Sequence, residues 1–208
     1  MRTRPFLLVD IALVAVMLLI SVWAWPQLPS GSTIDKTIEL FVVPAIGLLV
    51  LLIVLVVPTI EPRRANLEQS RTAFNAVMLA ALALLLVIHA IVIAYTLNKS
   101  VDVLPPVMIA VGVLFLIMGY YLPRVRSNFM FGVRTPWTLS SEYSWARTHR
   151  VAGPLLVILG VVMIASAFVL SDTWLLVVLV GGTLGIAAAL VAFSYFAWKQ
   201  DPARDTGT

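Results

Sequence analysis

Six apolar runs, each long enough to cross a bilayer, predict an all-α integral membrane protein with six transmembrane helices. Three observations carry this. The 208-residue chain is 61% hydrophobic and only 12% charged, far more apolar than a soluble domain. Its apolar stretches reach the roughly 20 residues that a helix needs to span a hydrocarbon core. The alternating pattern of an outer-membrane barrel strand is missing, which leaves the helix as the structure that satisfies backbone groups in lipid.

The runs cover residues 6–24, 38–57, 74–95, 104–122, 151–170 and 173–198. The first reads as a retained span: it is too long for a signal-peptide core, and Trp23-Ala24-Trp25-Pro26 is a poor cleavage site. Asp10 falls in its first turns, where the helix dipole and headgroups tolerate a charge. Pro44 predicts a kink or a re-entrant break in the second run. The third carries His89, an intramembrane polar residue expected to be packed or hydrogen-bonded between helices; such groups are functional candidates by default. Ser171-Asp172 makes a tight hairpin of the fifth and sixth runs. In the sixth, Gly181 and Gly185 form a small-xxx-small pair, expected to pack on the fifth run and also compatible with a homo-oligomer. Trp23, Trp25, Trp174 and Trp198 stand near run ends, as interfacial anchors do.

Basic residues set the orientation. With both termini and the loops 58–73 and 123–150 on one side, that side holds Arg2, Arg4, Arg63, Arg64, Arg71, Arg124, Arg126, Arg134, Arg147, Arg150, Lys199 and Arg204. The other side holds only Lys36 and Lys99. The positive-inside rule then places both termini and the 123–150 loop in the cytoplasm of a multi-pass cell-membrane protein. The organisation expected is a two-helix hairpin (1–72), a four-helix domain (73–198) and a short cytoplasmic tail (199–208). The net charge of +4 lies beside apolar runs and points to anionic membrane lipid rather than nucleic acid.

The most informative segment is 119–150, a polar island with five arginines, His149, Trp137 and Trp145. Gly132-Val-Arg-Thr-Pro136-Trp137 predicts a turn, because Gly132 admits positive φ and Pro136 disfavours helix at Thr135. A short helix should follow, with Thr138 as N-cap, running to Arg150. On it Ser141, Trp145 and His149 share one face by spacing. Arg124, Arg126, Arg147 and Arg150 read as topology determinants and lipid contacts, and Trp137 and Trp145 as surface anchors. Arg134 is different, set away from the helix ends and suited to pairing with Glu142 or Glu61. The core of Arg134, Trp137, Glu142, Trp145 and His149 is a candidate for partner docking or structural coupling.

Catalysis finds little support. With no cysteine there is no disulfide or thiolate chemistry. Two histidines, His89 and His149, are too few for a zinc site beside Glu142. No nucleophile triad, phosphate loop or dinucleotide fingerprint is present, so neither an enzyme nor a cofactor is expected. A small transporter or channel is the alternative; the scarcity of charge within the spans, His89 and Asp10 apart, weighs against it.

The signature segment resembles the SdpI family of bacterial multi-pass membrane proteins. The resemblance rests on Gly119, Tyr121-Leu122-Pro123-Arg124, Asn128, Gly132-Val-Arg134-Thr135-Pro136-Trp137-Thr138, Ser141, Trp145 and Thr148-His149-Arg150. A weaker one, to the membrane hairpin often found upstream in that family, rests on Lys36, Pro44, Pro58-Thr-Ile-Glu61-Pro62-Arg63-Arg64 and Asn66. Two positions depart from the pattern: the outer loop Pro26-Gln-Leu-Pro29-Ser-Gly31 lacks the family's histidine, and Tyr120 stands where asparagine is usual. What the resemblance implies is immunity and signalling: protection against a secreted peptide toxin, and sequestration of a cytoplasmic transcriptional repressor at the membrane.

Overall fold

The structure, a computed structural model, describes residues 4–28, 33–97 and 100–204. Arg2, Pro29, Gly31, Lys99 and the tail from residue 205 lie outside the described residues. Among those described, the regular structure is entirely helical, and six helices are long and apolar enough to cross a membrane. In chain order the α-helices are α1 (Arg4–Ala24), α2 (Thr33–Ile60), a short α3 (Arg64–Gln69), α4 (Arg71–Thr96), α5 (Leu104–Tyr121), a short α6 (Pro136–Ser140), α7 (Glu142–Ser166), α8 (Asp172–Leu176) and α9 (Gly182–Lys199). A π-helical turn, Val177–Gly181, joins α8 to α9 as the sixth span.

The helices form a row. α9 lies on α7, α7 on α5 and α5 on α4, while α1 and α2 pack together on α4. Apolar side chains such as Leu8, Leu19, Leu52, Ile158, Val161 and Leu184 are exposed around the bundle, the surface a bilayer covers and water would not tolerate.

Pro44 lies inside an unbroken α2, so the re-entrant break does not occur. The proline removes the N–H that would have met the Leu40 carbonyl. Ser21 of α1 supplies the missing donor, its Oγ donating to Leu40 O at 2.6 Å. Ser21 Oγ is also 3.1 Å from His89 Nε2 of α4, which lies 3.0 Å from the Met17 carbonyl. Since the hydroxyl proton is spent on Leu40, His89 is the donor, sharing its Nε2–H between Ser21 Oγ and Met17 O. Ser21, Leu40 and His89 are all fully buried. One polar knot thus ties α1, α2 and α4 where lipid offers no substitute partner. Ser21→Ala is expected to cost about 1–2 kcal/mol, read as a lower melting temperature in detergent, with Ser21→Thr recovering most of it. An unchanged melt for Ser21→Ala would remove the capping role.

The closest helix contact is between α5 and α7. A Cβ on Gly112 would lie 2.8 Å from Gly160 O, and one on Gly160 would lie 2.7 Å from Gly112 O. Gly119 and Gly153 repeat the arrangement at 2.6 and 2.8 Å. Only glycine lets the two backbones touch at both crossings. The expected pair, Gly181 and Gly185, meets nothing within 4 Å; instead Gly182 faces Leu159 of α7. The π turn just before α9 holds an extra residue and rotates the helix face by about one position, so the glycine that reaches α7 is not one of the spaced pair.

Candidate functional site

The loop between α5 and α7 is built by local hydrogen bonds that its sequence dictates. Asn128 Oδ1 accepts from the N–H groups of Met130 and Phe131 at 3.0 and 2.7 Å, closing an Asx-type turn. Gly132 follows at φ +118°. Thr135 then caps α6 in a reciprocal box with Thr138: Thr138 N donates to Thr135 Oγ1 at 3.2 Å, and Thr135 N to Thr138 Oγ1 at 2.9 Å. Ser141 caps α7 by accepting from Ser144 N at 2.9 Å.

These caps revise the expected helix. Thr138 is not the N-cap; it lies inside α6, which Thr135 starts and the extended Ser141 ends. The helix then restarts at Glu142 and runs unbroken through Arg150 to Ser166, so the signature residues sit on the first turns of a membrane-spanning helix. Pro154 is accommodated within it.

Ser141, Trp145 and His149 do share a buried face. Trp145 is 2% exposed, which excludes the surface-anchor reading for it. Its indole Nε1 donates to Val125 O at 2.8 Å, and its ring stacks on His149 at 4.0 Å. The His149 roles follow from its partners. Val133 N–H can only donate, so Nε2 accepts it at 3.0 Å, and Nδ1–H is left to donate to Trp145 O at 2.9 Å. That is a neutral imidazole with neither nitrogen open to another ligand. Gly132 lies directly over this stack, where a Cβ would come 2.5 Å from His149 Nε2.

A clamp from the α2–α4 connection holds the loop from the other side. Glu61, 4% exposed, accepts from Phe129 N–H at 3.1 Å and from Arg63 N–H at 2.9 Å. Arg63 donates to Ser127 Oγ and to Leu139 O, the latter at 3.0 Å. Asn66 Nδ2 donates to Ser127 O at 2.8 Å, and Ser70 Oγ accepts from Arg126 N–H at 2.9 Å. The arginine that pairs with Glu142 is therefore Arg63, at 3.6 Å, not Arg134. Glu61 is occupied by backbone donors, and Arg134 Nη1 donates to Phe129 O at 2.8 Å. No short-range pattern identified Arg63, because the partners of its side chain are more than 60 residues away. From α9, Ser194 Oγ meets Thr135 Oγ1 at 2.9 Å, and Ser194 O accepts from Ser144 Oγ at 2.8 Å.

The predicted residues thus divide. Trp145 and His149 are internal; Arg134 and Glu142 are exposed; Trp137 is half-buried against Tyr195 at 5.2 Å. Glu142 is the first residue of α7 and points outward, away from His149 despite the heptad spacing. Arg124, Arg126, Arg147 and Arg150 are all exposed, with Arg124 over the Tyr120 ring at 4.4 Å and Arg147 over Tyr143 at 5.4 Å. Beneath the loop, α4, α5, α7 and α9 enclose an apolar cavity of about 550 Å³ whose roof includes Phe131, Gly132, Val133 and Arg134.

A family model described as the SdpI/YfhL protein family matches residues 124–194, from the start of the loop to the Ser194 that holds it. Over 176 residues the chain is 24% identical to Immunity protein SdpI of Bacillus subtilis (strain 168), covering 85% of this chain and 82% of that one. Both likenesses are to SdpI proteins. No solved structure matches it. The similarity to this SdpI-family relative extends well beyond the loop, over most of the six-helix chain.

Proposed function

We propose that the chain is a membrane immunity protein that protects its cell from a secreted peptide toxin, with a cytoplasmic signature loop that docks a repressor protein. The observation that carries the reading is the near full-length similarity to Immunity protein SdpI, which spans the helices as well as the loop. The loop's construction supports the docking part. Asn128, Trp145 and His149 spend their polar groups inside, which leaves Arg134, Trp137 and Glu142 on a rigid outward face. The cavity below shares Arg134 with that face, so a toxin segment seated among the helices would press on the residues that present the docking surface. Cytoplasmic placement rests on the 12-to-2 division of basic residues in the sequence.

The test is an Arg134→Ala, Trp137→Ala double variant. It should insert at wild-type levels, since Arg134 is exposed and Trp137 only half-buried, yet lose toxin protection and repressor recruitment. Full protection at equal expression would defeat the loop-centred mechanism. Because the chain has no cysteine, a single Arg134→Cys variant reports the side directly. An impermeant maleimide should label it only after the membrane is opened.

A further inference from the structure

Near the end of the bundle where α1 begins, α1, α2, α3 and α4 line a second cavity, of about 200 Å³, with other residues of the α2–α4 connection than those that clamp the signature loop. Its wall includes Asp10, Pro58, Arg64, Glu68, Arg71 and Asn75. Asp10 is fully buried, and neither of its carboxylate oxygens has a hydrogen-bond partner. A buried carboxylate without a partner is costly to keep charged, and a cationic hydrogen-bond donor against it would offset that cost. Pro58 cannot donate to the carbonyl of Val54, itself a lining residue, which makes that carbonyl a second candidate acceptor. Of the cavity's two arginines, Arg64 pairs with Glu68 at 3.9 Å. Among the described residues no ion pair joins Arg71 to Asp10.

A carboxylate and a guanidinium that face one cavity without meeting are the complement of a zwitterion. We propose that this cavity seats the headgroup of a primary-ammonium phospholipid, with the ammonium on Asp10 and the phosphate on Arg71 and Arg64. Position and chemistry agree. Asp10 is six residues into α1 from Arg4, about 9 Å along the helix axis, the depth of a headgroup below the basic rim. The rest of the wall, Thr59 apart, is the apolar Phe6, Leu7, Val54 and Leu55, which suit the start of an acyl chain. A bare metal cation fits less well, because two guanidinium groups share the wall. A primary ammonium brings three N–H donors to the two unpartnered carboxylate oxygens of Asp10, whereas a trimethylammonium brings none. In this conformation Asp10 has no solvent-accessible surface, so entry requires part of the wall to move. The exposed arginines, Arg64 with 63% of its side chain open, are the movable part.

The experiment uses the full chain purified in detergent, with phosphatidylethanolamine or phosphatidylcholine of identical acyl chains added at equal fraction. Retention is read by native mass spectrometry and stabilisation by melting temperature. Phosphatidylethanolamine should be retained about tenfold more than phosphatidylcholine, the scale of a charge-assisted hydrogen bond. Asp10→Asn should abolish that preference. Arg71→Ala should weaken both lipids while leaving their ratio unchanged, which keeps the idea testable should Asp10→Asn fail to fold. Equal retention by the wild type, or a preference that survives Asp10→Asn, overturns the proposal. Stabilisation by soluble O-phosphoethanolamine but not by the lipid would also overturn it, by assigning the site to a small zwitterion.

Discussion

Alanine at position 132 is expected to destabilise the chain by about 2–5 kcal/mol, a strained backbone added to an overpacked contact. Gly132 is held at φ +118°, where an L side chain is strained before any neighbour is considered. Its new Cβ would also fall 2.5 Å from His149 Nε2 and about as close as 3.1 Å to the Trp145 ring. Neither neighbour is free to retreat. His149 is held through Nδ1 to Trp145 O, and Trp145 through Nε1 to Val125 O. Moving the imidazole would also take away the acceptor of the Val133 N–H, so relief of the clash strands a buried donor. Gly185→Ala is the control: nothing lies within 4 Å of that position, and alanine is the better helix former. Thermal melts of the two variants in one detergent should differ widely, with Gly132→Ala far below wild type. A Gly132→Ala melt within a degree or two of wild type would show that the stack is not the rigid seat of the loop.

The spans were legible because their signal is a direct energetic requirement: a helix in lipid needs an unbroken apolar run, and the run is visible in the sequence. Their ends were less so. The fifth span starts at Glu142, not near 151, because Arg147 and Arg150 lie on the exposed side of a helix whose other side buries Ser144, Trp145, Thr148 and His149. Charge density hid a helix that is amphipathic at its start and apolar beyond. The glycine pairing failed for a different reason. A π turn has no plain sequence signature, yet it changed which glycine of Gly181, Gly182 and Gly185 faces α7.

Within the loop, local chemistry was readable and distant chemistry was not. Positive φ at Gly132 and the shared face of Ser141, Trp145 and His149 follow from residue type and spacing. The partner of Glu142 does not, since Arg63 arrives from another connection of the bundle. Ser21 was invisible for the same reason: its importance comes from a proline, Pro44, on a neighbouring helix. A proline within an apolar run was the one available hint, because it implies an orphaned carbonyl that something must meet.

Removing the Glu61 carboxylate should be the other large effect. Glu61→Ala leaves the Phe129 and Arg63 N–H groups without their acceptor, at an expected cost of about 2–4 kcal/mol for two stranded donors. Glu61→Gln keeps one carbonyl oxygen and should lose roughly half as much. Glu142→Gln, by contrast, breaks a pair whose acid side chain is 71% exposed, and should cost less than about 1 kcal/mol. The ranking separates a buried acceptor of backbone donors from a surface ion pair with the same arginine. A double-mutant cycle extends the argument from one residue to the architecture. Asn128→Ala removes the acceptor that folds the turn beside Phe129, so it and Glu61→Ala act on the same backbone from opposite sides. Their coupling should reach about 0.5–3 kcal/mol, whereas Glu61→Ala with Gly185→Ala should be additive. A coupling within that range means that residues 1–72 and 73–198 fold as one unit, in which the hairpin's Glu61-Pro62-Arg63 motif is part of the signature loop's foundation. Additive costs would leave them as two domains that merely touch, and the loop would then owe its rigidity to contacts within 73–198, the Trp145–His149 stack and the Ser194 bonds among them.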